Sequence, residues 1–316
     1  MPYSEEMKIF SGSASLEVTQ GICNHLYEKQ GKATVGRFSD GEVAVQIGEN
    51  IRGKDVFIVN STSIPINENL MELLILCDAA KRASAARITL VLPYFGYARQ
   101  DRKDRPRVPI TAKLVANLIV AAGANRVLAL DLHCDQLQGF FDIPVDHLSG
   151  DVEFCRHIQQ SRDMENLIVV SPDTGSVRRA REVANRLEVP LAIVDKRRPK
   201  ANVAEIMNII GDVSGKRALI FDDMIDTAGT LVKAAAAIKE HGATDVAACA
   251  THAIFSGDAI KRIDSSVLDE VIVSDSIPLC AEGRACSKIK VLSFSPLIGE
   301  AIKRIHGEKS VSILFQ

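Results

Sequence analysis

Apolar runs rich in Ile, Val and Leu alternate along this chain with longer segments of helical pattern, and this alternation limits the folds that the chain can adopt. Residues 55–60 (DVFIVN), 87–95 (RITLVLPYF) and 217–223 (RALIFDD) are such runs. They lack strict apolar–polar alternation, which is typical of strands buried on both faces. Strands that alternate with helices indicate mostly parallel sheets flanked by helices, so we expect an α/β fold. Further strand-like runs span residues 126–133, 167–173, 190–196 and 245–252, and helical patterns span residues 69–81, 110–123, 178–187 and 229–241.

The chain also contains a weak internal repeat. Residues 51–60 (IRGKDVFIVN) are similar to residues 213–223 (VSGKRALIFDD), and a helical pattern and then another strand follow each of them. A length of 316 residues is typical of about two domains. Two related α/β units explain both the length and the repeat.

We expect the first domain to span residues 1–149 and the second to span residues 150–316, with residues 144–149 as the connector. The chain ends in SVSILFQ, which has the pattern of a short last strand. We expect the tail, about residues 305–316, to pack back on the first domain.

Composition excludes several classes of protein. The formal net charge is -2, so no general attraction to nucleic acid or to a membrane surface is expected. No apolar run approaches the ~18–20 residues that span a bilayer, and the first ten residues lack the features of a secretion signal. The seven cysteines form no Cys-x-x-Cys pair, so we expect reduced thiols and a cytoplasmic protein.

The stretch FDDMIDTAGT, residues 221–230, closes a strand with two acids and enters a helix through a turn of small residues. Ligands of open α/β sheets bind beyond the carboxyl ends of the strands. The first N–H groups of a helix have no helical partner, so this turn can hold a phosphate. Asp222 and Asp223 can accept hydrogen bonds from vicinal hydroxyls or hold Mg²⁺ through water. A sugar phosphate fits this pattern, whereas an acidic loop with an ordinary cap is the alternative.

Two basic segments follow other strands. YARQDRKDRPR, residues 97–107, has five cations against two acids, and its charge suits a polyphosphate. DKRRPK, residues 195–200, places Lys196 at a strand end, where a cation can neutralise charge on a transferred phosphoryl group. Each of the two segments, taken alone, is also compatible with a solvated charged loop.

Three further positions carry candidate chemistry. His133 ends the strand-like run at residues 126–133, and Asp173 ends the run at residues 167–173, in SPDTG. Imidazole and carboxylate are both metal ligands. Most strand-end histidines are structural. The motif RFSDGE, residues 37–42, contains Asp-Gly, and its spacing alone favours a hairpin turn.

Taken together, these motifs resemble the ribose-phosphate diphosphokinase family, in its phosphate-activated, ATP-dependent class. RFSDGE, YARQDRK, DLHCDQLQGFFDIPVDHL, SPDTG, DKRRPKANVAEIMNIIGDV and FDDMIDTAGT occur in that family's order over nearly the whole chain. FDDMIDTAGT by itself resembles the diphosphoribose signature of all type I phosphoribosyltransferase folds. The resemblance implies two phosphoribosyltransferase-like domains. It also implies transfer of the diphosphate of Mg²⁺-ATP to the anomeric hydroxyl of ribose 5-phosphate, with release of AMP. The product feeds nucleotide, histidine and tryptophan biosynthesis.

The resemblance also implies roles for matching residues. Lys196 and Arg198 are catalytic residues on a mobile loop, Arg198 also contacts the pentose phosphate, and His133 and Asp173 bind the metal. The ribose 5-phosphate site comprises Asp222, Asp223, Asp226, Thr227, Ala228, Gly229 and Thr230. The ATP site comprises Arg99 and Gln100, with Phe38, Asp40, Gly41 and Glu42 supplied by a neighbouring subunit.

Regulation and assembly follow from the same resemblance. Inorganic phosphate activates and ADP inhibits at a site between subunits, which in the family are dimers that build a hexamer. The matching residues are Gln138, Asp146, Ser310 and Ser312. This chain departs from the common pattern at Ala228, Cys134, Asp135, Pro106 and His147.

Two alternatives use the same motifs. A salvage phosphoribosyltransferase shares FDDMIDTAGT but has no need of YARQDRK or DKRRPK. A catalytically silent regulatory subunit typically carries insertions or damaged loops, whereas Lys196, Arg198 and His133 are all present in this chain.

Overall fold

The structure, a computed structural model, describes residues 6–197 and 206–315. The chain packs as two compact units. Unit 1 comprises the residues up to Ser149, the short segment Ser276–Pro278 and the chain from Ser293 on. Unit 2 comprises Gly150–Asp275 and Leu279–Leu292. Nearly all of the first 149 residues and the chain end thus belong to one unit, and the middle of the chain to the other.

Unit 1 is a parallel sheet flanked by helices, with a separate antiparallel hairpin. The sheet has the order β1-β4-β5-β6-β7, and β2 pairs only with β3 among the described strands. Val56, Ile58 and Leu90 lie in the core, and helices pack on both faces of the sheet. The elements are β1 (Met7–Ser11), α1 (Leu16–Leu26), β2 (Ala33–Arg37), β3 (Val43–Ile47), β4 (Asp55–Val59), α2 (Ile66–Arg82), β5 (Arg87–Leu92), α3 (Thr111–Ala122), β6 (Arg126–Leu130) and β7 (Val145–Leu148).

Unit 2 repeats this plan. Its sheet has the order β10-β9-β8-β11-β12-β13-β14, parallel throughout except for the antiparallel pair β9–β10. The elements are α4 (Asp151–Ser161), β8 (Leu167–Ser171), α5 (Val177–Leu187), β9 (Leu191–Arg197), β10 (Ile206–Ile210), β11 (Arg217–Ile225), α6 (Gly229–Glu240), β12 (Asp245–Ala253), α7 (Ala259–Asp264), β13 (Glu270–Ser274), α8 (Ala281–Ala285) and β14 (Ile289–Leu292). The predicted α/β class, with mostly parallel sheets flanked by helices, is confirmed for both units.

The internal repeat corresponds to equivalent strands. The order β1-β4-β5-β6-β7 of unit 1 matches β8-β11-β12-β13-β14 of unit 2. In each unit an antiparallel strand pair follows the helix that comes after the first of these strands, α1 in unit 1 and α5 in unit 2. The strands of the repeat, β4 and β11, are therefore equivalent. Each begins with an ion pair to the next strand, but the charges are exchanged: Asp55 pairs with Arg87, and Arg217 pairs with Asp245.

Two expectations about the connections were wrong. Residues 144–149 are not a plain connector, because β7 (Val145–Leu148) pairs in parallel with β6. The tail does not form a strand, because Ser312–Phe315 is a 3₁₀ turn. The segment that returns to unit 1 is also longer than expected, since it begins at Ser293 and includes the helix α9 (Ser295–His306).

Helix α9 is attached to unit 1 by buried polar contacts as well as by packing on α1. Arg87 Nε donates to Asp55 Oδ1 at 2.8 Å, and Arg87 Nη2 donates to the carbonyl of Ile305 at 3.0 Å. His306 Nδ1 lies 2.8 Å from Asp55 Oδ2. Because Asp55 is fully buried, it depends on these partners to compensate for its lost hydration. Nowhere in residues 6–197 and 206–315 is there a helix with the length and apolar character that crossing a membrane requires.

Candidate active site

The carboxyl end of β11 carries the paired acids of unit 2. Asp223 is buried, and Asp222 keeps part of its surface open. Asp222 Oδ1 accepts a hydrogen bond from Ser176 Oγ at 2.8 Å and one from the N–H of Asp223 at 2.9 Å. These bonds hold Oδ1 in place, so the carboxylate is oriented before any ligand arrives.

The surroundings of Asp222 raise the pKa of its carboxyl group. Burial is the main cause, and the charge of Asp223 is the second; together they raise the pKa of Asp222 to about 7. Asp173 adds a smaller effect in the same direction, while the bond from Ser176 opposes it. Two buried carboxylates side by side destabilise the folded protein, because burial and mutual repulsion disfavour their charged forms. Such pairs are therefore typical of functional sites, where a ligand uses them.

We expect Asp222→Asn to stabilise the protein at alkaline pH. The folded pKa of Asp222 lies above its ordinary value of 3.8. The contribution of this carboxyl to stability is therefore complete below about pH 4 and is lost as the pH rises through about 7. At pH 8 the neutral amide avoids the cost of a buried charge, and the melting temperature should rise by about 2–4 °C. At pH 5 the difference should be clearly smaller than at pH 8, and it should nearly vanish only below about pH 4. An equal difference at pH 5 and pH 8 in a melting experiment without ligand would show that the buried charge is not its cause.

A loop after β8 completes this end of the sheet. Asp173 Oδ1 accepts the N–H groups of Gly175 at 2.8 Å and Ser176 at 2.9 Å, which shapes the entry into α5. Ser171 Oγ donates to the Asp173 carbonyl at 2.7 Å. Ser176 was missed in the sequence because its role depends on a contact with β11. Asp173 thus orients the loop that holds Ser176 against Asp222.

The turn at residues 226–230 leads directly into α6. Two carbonyl groups of this turn accept hydrogen bonds from residues that follow β12. The N–H of Ser256 donates to Asp226 O at 3.0 Å, and Arg262 Nη1 donates to Thr227 O at 2.7 Å. Ala228 precedes the helix with φ +59°, and no side chain within the described residues caps α6. The first N–H groups of α6 therefore remain for an anion. Thr227 and Thr230 are exposed beside them.

Of the two catalytic residues proposed from the sequence, the structure describes only the backbone of Lys196. Lys196 belongs to β9, opposite Met207 of β10 in the antiparallel register. Arg198 lies outside the described residues. The structure thus places the backbone of Lys196 on the hairpin next to β8.

In unit 1, the basic segment 97–107 follows β5. Gln100 is attached to α3 by two contacts: Thr111 Oγ1 donates to Gln100 Oε1 at 2.5 Å, and the N–H of Ala112 donates to Gln100 O at 3.2 Å. Arg99 and Gln100 are exposed. The segment is therefore fixed at its start, with its cations turned to solvent.

His133 is exposed and follows β6 through the buried Asp131, whose φ is +40°. Behind it, the N–H of Leu132 donates to His147 Nε2 at 2.9 Å, so His147 from β7 supports this loop. Cys134 Sγ donates to Asp101 Oδ2 at 3.2 Å. The loops that carry His133 and Arg99 are thus in contact within unit 1.

Residues 38–42 form the turn of the β2–β3 hairpin, as the Asp-Gly spacing predicts. The N–H of Gly41 donates to Phe38 O at 2.9 Å, and Gly41 has φ +95°. Asp40 Oδ1 accepts the N–H of Glu42 at 3.1 Å. Phe38 is 61% exposed, which is unusual for a phenylalanine. An exposed aromatic ring on a hydrogen-bonded turn offers a stacking surface.

The four residues matched to the regulatory site line one cavity in unit 1. The cavity has a volume of about 670 Å³ and combines Gln138 and β7 with the chain after α9. Arg126 Nη1 donates a hydrogen bond to Asp146 Oδ2 at 2.5 Å, which fixes the position of Asp146. The lining includes Arg87, Arg126, Gln138, Asp146, His147, Lys309, Ser310 and Ser312. This grouping joins residues about 170 positions apart, which sequence spacing alone does not predict.

No cluster of three or more His, Cys, Asp or Glu side chains with metal-binding geometry occurs within residues 6–197 and 206–315. Mg²⁺ keeps several waters and takes only one or two protein carboxylates when phosphates supply the other oxygens. His133 and Asp173 belong to no such cluster within the described part of the chain.

Comparisons with known proteins point to one family over nearly the whole chain. Residues 7–123 match the N-terminal domain of ribose phosphate pyrophosphokinase, and residues 196–316 match the phosphoribosyl synthetase-associated domain. A ribose-phosphate pyrophosphokinase from Chromobacterium violaceum is 58% identical over 98% of this chain and 95% of its own. One from Caldanaerobacter subterraneus subsp. tengcongensis is 56% identical over 99% of each.

The crystal structure of phosphoribosylpyrophosphate synthetase from Mycobacterium smegmatis has a similar fold. It superposes with a TM-score of 0.91 at 40% sequence identity, covering 96% of this chain and 100% of that one.

Proposed function

The chain belongs to the ribose-phosphate pyrophosphokinase family, and we propose that unit 2 holds ribose 5-phosphate while the loops of unit 1 hold ATP. It is an enzyme of kinase type that transfers the diphosphate of ATP to ribose 5-phosphate. Identity of 56–58% over nearly the full chain carries this assignment. The division of roles between the residues is supported by the arrangement within each unit.

Asp222 and Asp223 bind the pentose through its vicinal hydroxyls. A carboxylate can accept two such hydrogen bonds, and Asp222 is already oriented by Ser176. The turn at residues 226–230 binds the 5-phosphate with the first N–H groups of α6, assisted by the hydroxyls of Thr227 and Thr230. Binding at both ends fixes the anomeric hydroxyl as the attacking group. No side-chain nucleophile is needed.

ATP binds through cations and through an aromatic surface. Arg99 and Gln100 contact its phosphates, and Arg suits them because its guanidinium donates in a fork. The exposed Phe38 and its turn contact the adenine of a neighbouring subunit, which gives the homo-oligomer a catalytic role.

Mg²⁺ is the proposed metal, with His133 and Asp173 as protein ligands to the nucleotide complex. When bound, it neutralises phosphate charge and orients the diphosphate for in-line attack. ATP and the sugar phosphate together carry about six negative charges, so the two substrates repel each other strongly. Lys196 and Arg198 offset the charge that develops on the transferred group.

The cavity around Asp146 and Ser310 is the proposed regulatory site, where inorganic phosphate activates and ADP inhibits. Its basic lining, with Arg126 and Lys309, suits an anion. The dimers and the hexamer of the family are proposed for this chain on the same basis.

The reaction is tested directly by incubating the protein with ATP, Mg²⁺ and ribose 5-phosphate. We expect stoichiometric AMP and 5-phosphoribosyl 1-diphosphate, and no AMP when the sugar is omitted. A salvage transferase would consume the diphosphate sugar instead of making it, and a silent subunit would release no AMP. Repeating the assay without inorganic phosphate tests the proposed activation.

Gly229→Val should weaken binding of ribose 5-phosphate without unfolding the protein. A Cβ at Gly229 meets only Thr227 Oγ1, at an ordinary 3.7 Å, and its φ is not positive. The fold therefore has room for a Cβ at this position, and the added bulk lies where the phosphate approaches the backbone. We expect the KM for ribose 5-phosphate to rise about 10–100-fold with little change in the KM for ATP. Thermal melting is the control for folding, and an unchanged KM for the sugar would contradict the phosphate site.

A further inference from the structure

One hydrogen bond joins the two loops of unit 1 to which nucleotide binding is assigned. Cys134 directly follows His133, and Asp101 directly follows Arg99 and Gln100. Cys134 Sγ donates to Asp101 Oδ2 at 3.2 Å, and both residues are half-buried. The contact bridges 33 positions of sequence.

The rest of the basic segment has little support beyond this point. Its start is fixed on α3 through Gln100. After Asp101, residues 102–107 are all exposed. The loop that carries Cys134 is well supported, because His147 accepts the N–H of Leu132 and the Cys134 side chain packs against the core of unit 1. The contact therefore connects a fixed loop with an exposed one.

The thiol of Cys134 is suited to act as the hydrogen-bond donor in this contact. The Cys134 side chain is half-buried, and its S–H is directed at the Asp101 carboxylate. A thiol is a weak donor, but an ionised acceptor strengthens the bond.

We propose that Cys134 is a positioning residue, which holds the basic loop beside His133 through Asp101 and thereby favours ATP binding. The part of the inference that concerns ATP binding rests on the proposed function. The attachment of the loop does not depend on any substrate. Cys134 does not itself touch the reacting atoms.

The attachment is measured by limited trypsin digestion without ligand. Arg102, Lys103 and Arg107 lie in the exposed part of the loop and are sites for trypsin. Cys134→Ala should speed cleavage there by about 3–10-fold, because the lost bond frees the loop. Cys134→Ser, whose hydroxyl can still donate, should be cleaved at close to the wild-type rate. Cys280→Ala, at an exposed cysteine of unit 2, is the matched control and should change nothing.

The link to the nucleotide is measured on the same variants as the KM for ATP and as the Kd for ATP without ribose 5-phosphate. Cys134→Ala should raise both by about 3–10-fold, with kcat within about twofold and the KM for the sugar unchanged. Cys134→Ser should rescue the affinity, which a role in packing alone does not predict. If the residues act through their contact, the Cys134→Ala/Asp101→Ala double variant should be no worse than Asp101→Ala.

Three results would overturn the proposal: wild-type cleavage of Cys134→Ala, failure of serine to rescue, or faster cleavage with unchanged ATP affinity. Loss of the proposed function itself is a different result, because the wild-type protein would then release no AMP, whatever the cleavage rates show.

Discussion

Lys196→Ala should reduce kcat by about 10²–10³-fold while changing the KM for ATP by less than about threefold. The reason is that a cation beside the transferred group is needed most when charge develops on that group. An interaction made mainly in the transition state lowers kcat when it is lost, whereas the loss of one made equally with bound ATP raises KM. Lys196 lies on the hairpin β9–β10 opposite Met207, which keeps its backbone within the sheet of unit 2. Steady-state kinetics of AMP release measures both constants.

Lys290→Ala is the control for this variant. Lys290 is an exposed lysine on β14 of the same sheet, so its replacement removes the same charge from unit 2 without touching the hairpin. Its kinetics should match the wild type. Equal losses in kcat and ATP affinity for Lys196→Ala would show that this lysine binds ATP in the ground state and would remove its proposed catalytic role.

Asp222→Asn should reduce kcat/KM for ribose 5-phosphate by about 10–100-fold at pH 8, the effect of losing a hydrogen bond to a charged acceptor. The loss should depend on pH. Because the pKa of Asp222 is raised to about 7, the wild-type carboxyl is protonated below that pH and then resembles the neutral amide. The ratio of wild-type to variant kcat/KM should therefore fall towards one as the pH drops from 8 to 6.

The ratio is the useful quantity, because ionisation of the substrate phosphate affects both enzymes and cancels. Asp212→Asn is the control in the same unit: Asp212 Oδ1 accepts the N–H of Ser214 in a turn, a bond that an amide oxygen also accepts. Its ratio to wild type should be flat with pH. A flat ratio for Asp222→Asn as well would mean that the ionised form of Asp222 has no special role in pentose binding.

The sequence predicted the central strands better than the edges of the sheets. β4, β5 and β11 are apolar runs buried on both faces, and their pattern leaves little choice of structure. At the edges, β7 and β14 are short and partly exposed, so their pattern resembles a connector. The tail had the pattern of a strand, but Ser312–Phe315 is a 3₁₀ turn instead.

The candidate site shows the same division. Asp222 and the turn after it were recognised because consecutive residues form them. The orientation of Asp222 by Ser176, and of the 131–135 loop by His147, depends on contacts between elements distant in sequence. Local pattern contains no information on such contacts. The residues of the cavity were proposed by family resemblance, and only folding brings Gln138 and Ser310 to one surface.

The position in unit 1 that is equivalent to the paired acids of unit 2 is buried. Asn60, directly after β4, is the equivalent in unit 1 of Asp222 in β11. Unlike Asp222, Asn60 is fully buried. Its amide donates to Asn69 O at 3.0 Å, and its Oδ1 accepts the N–H of Ala14 at 3.2 Å. The two units share a strand order, but these equivalent positions have different surroundings. Because Asn60 braces buried backbone, its replacement should lower the yield of folded protein, whereas replacement of Asp222 should leave the fold intact and weaken the binding of ribose 5-phosphate.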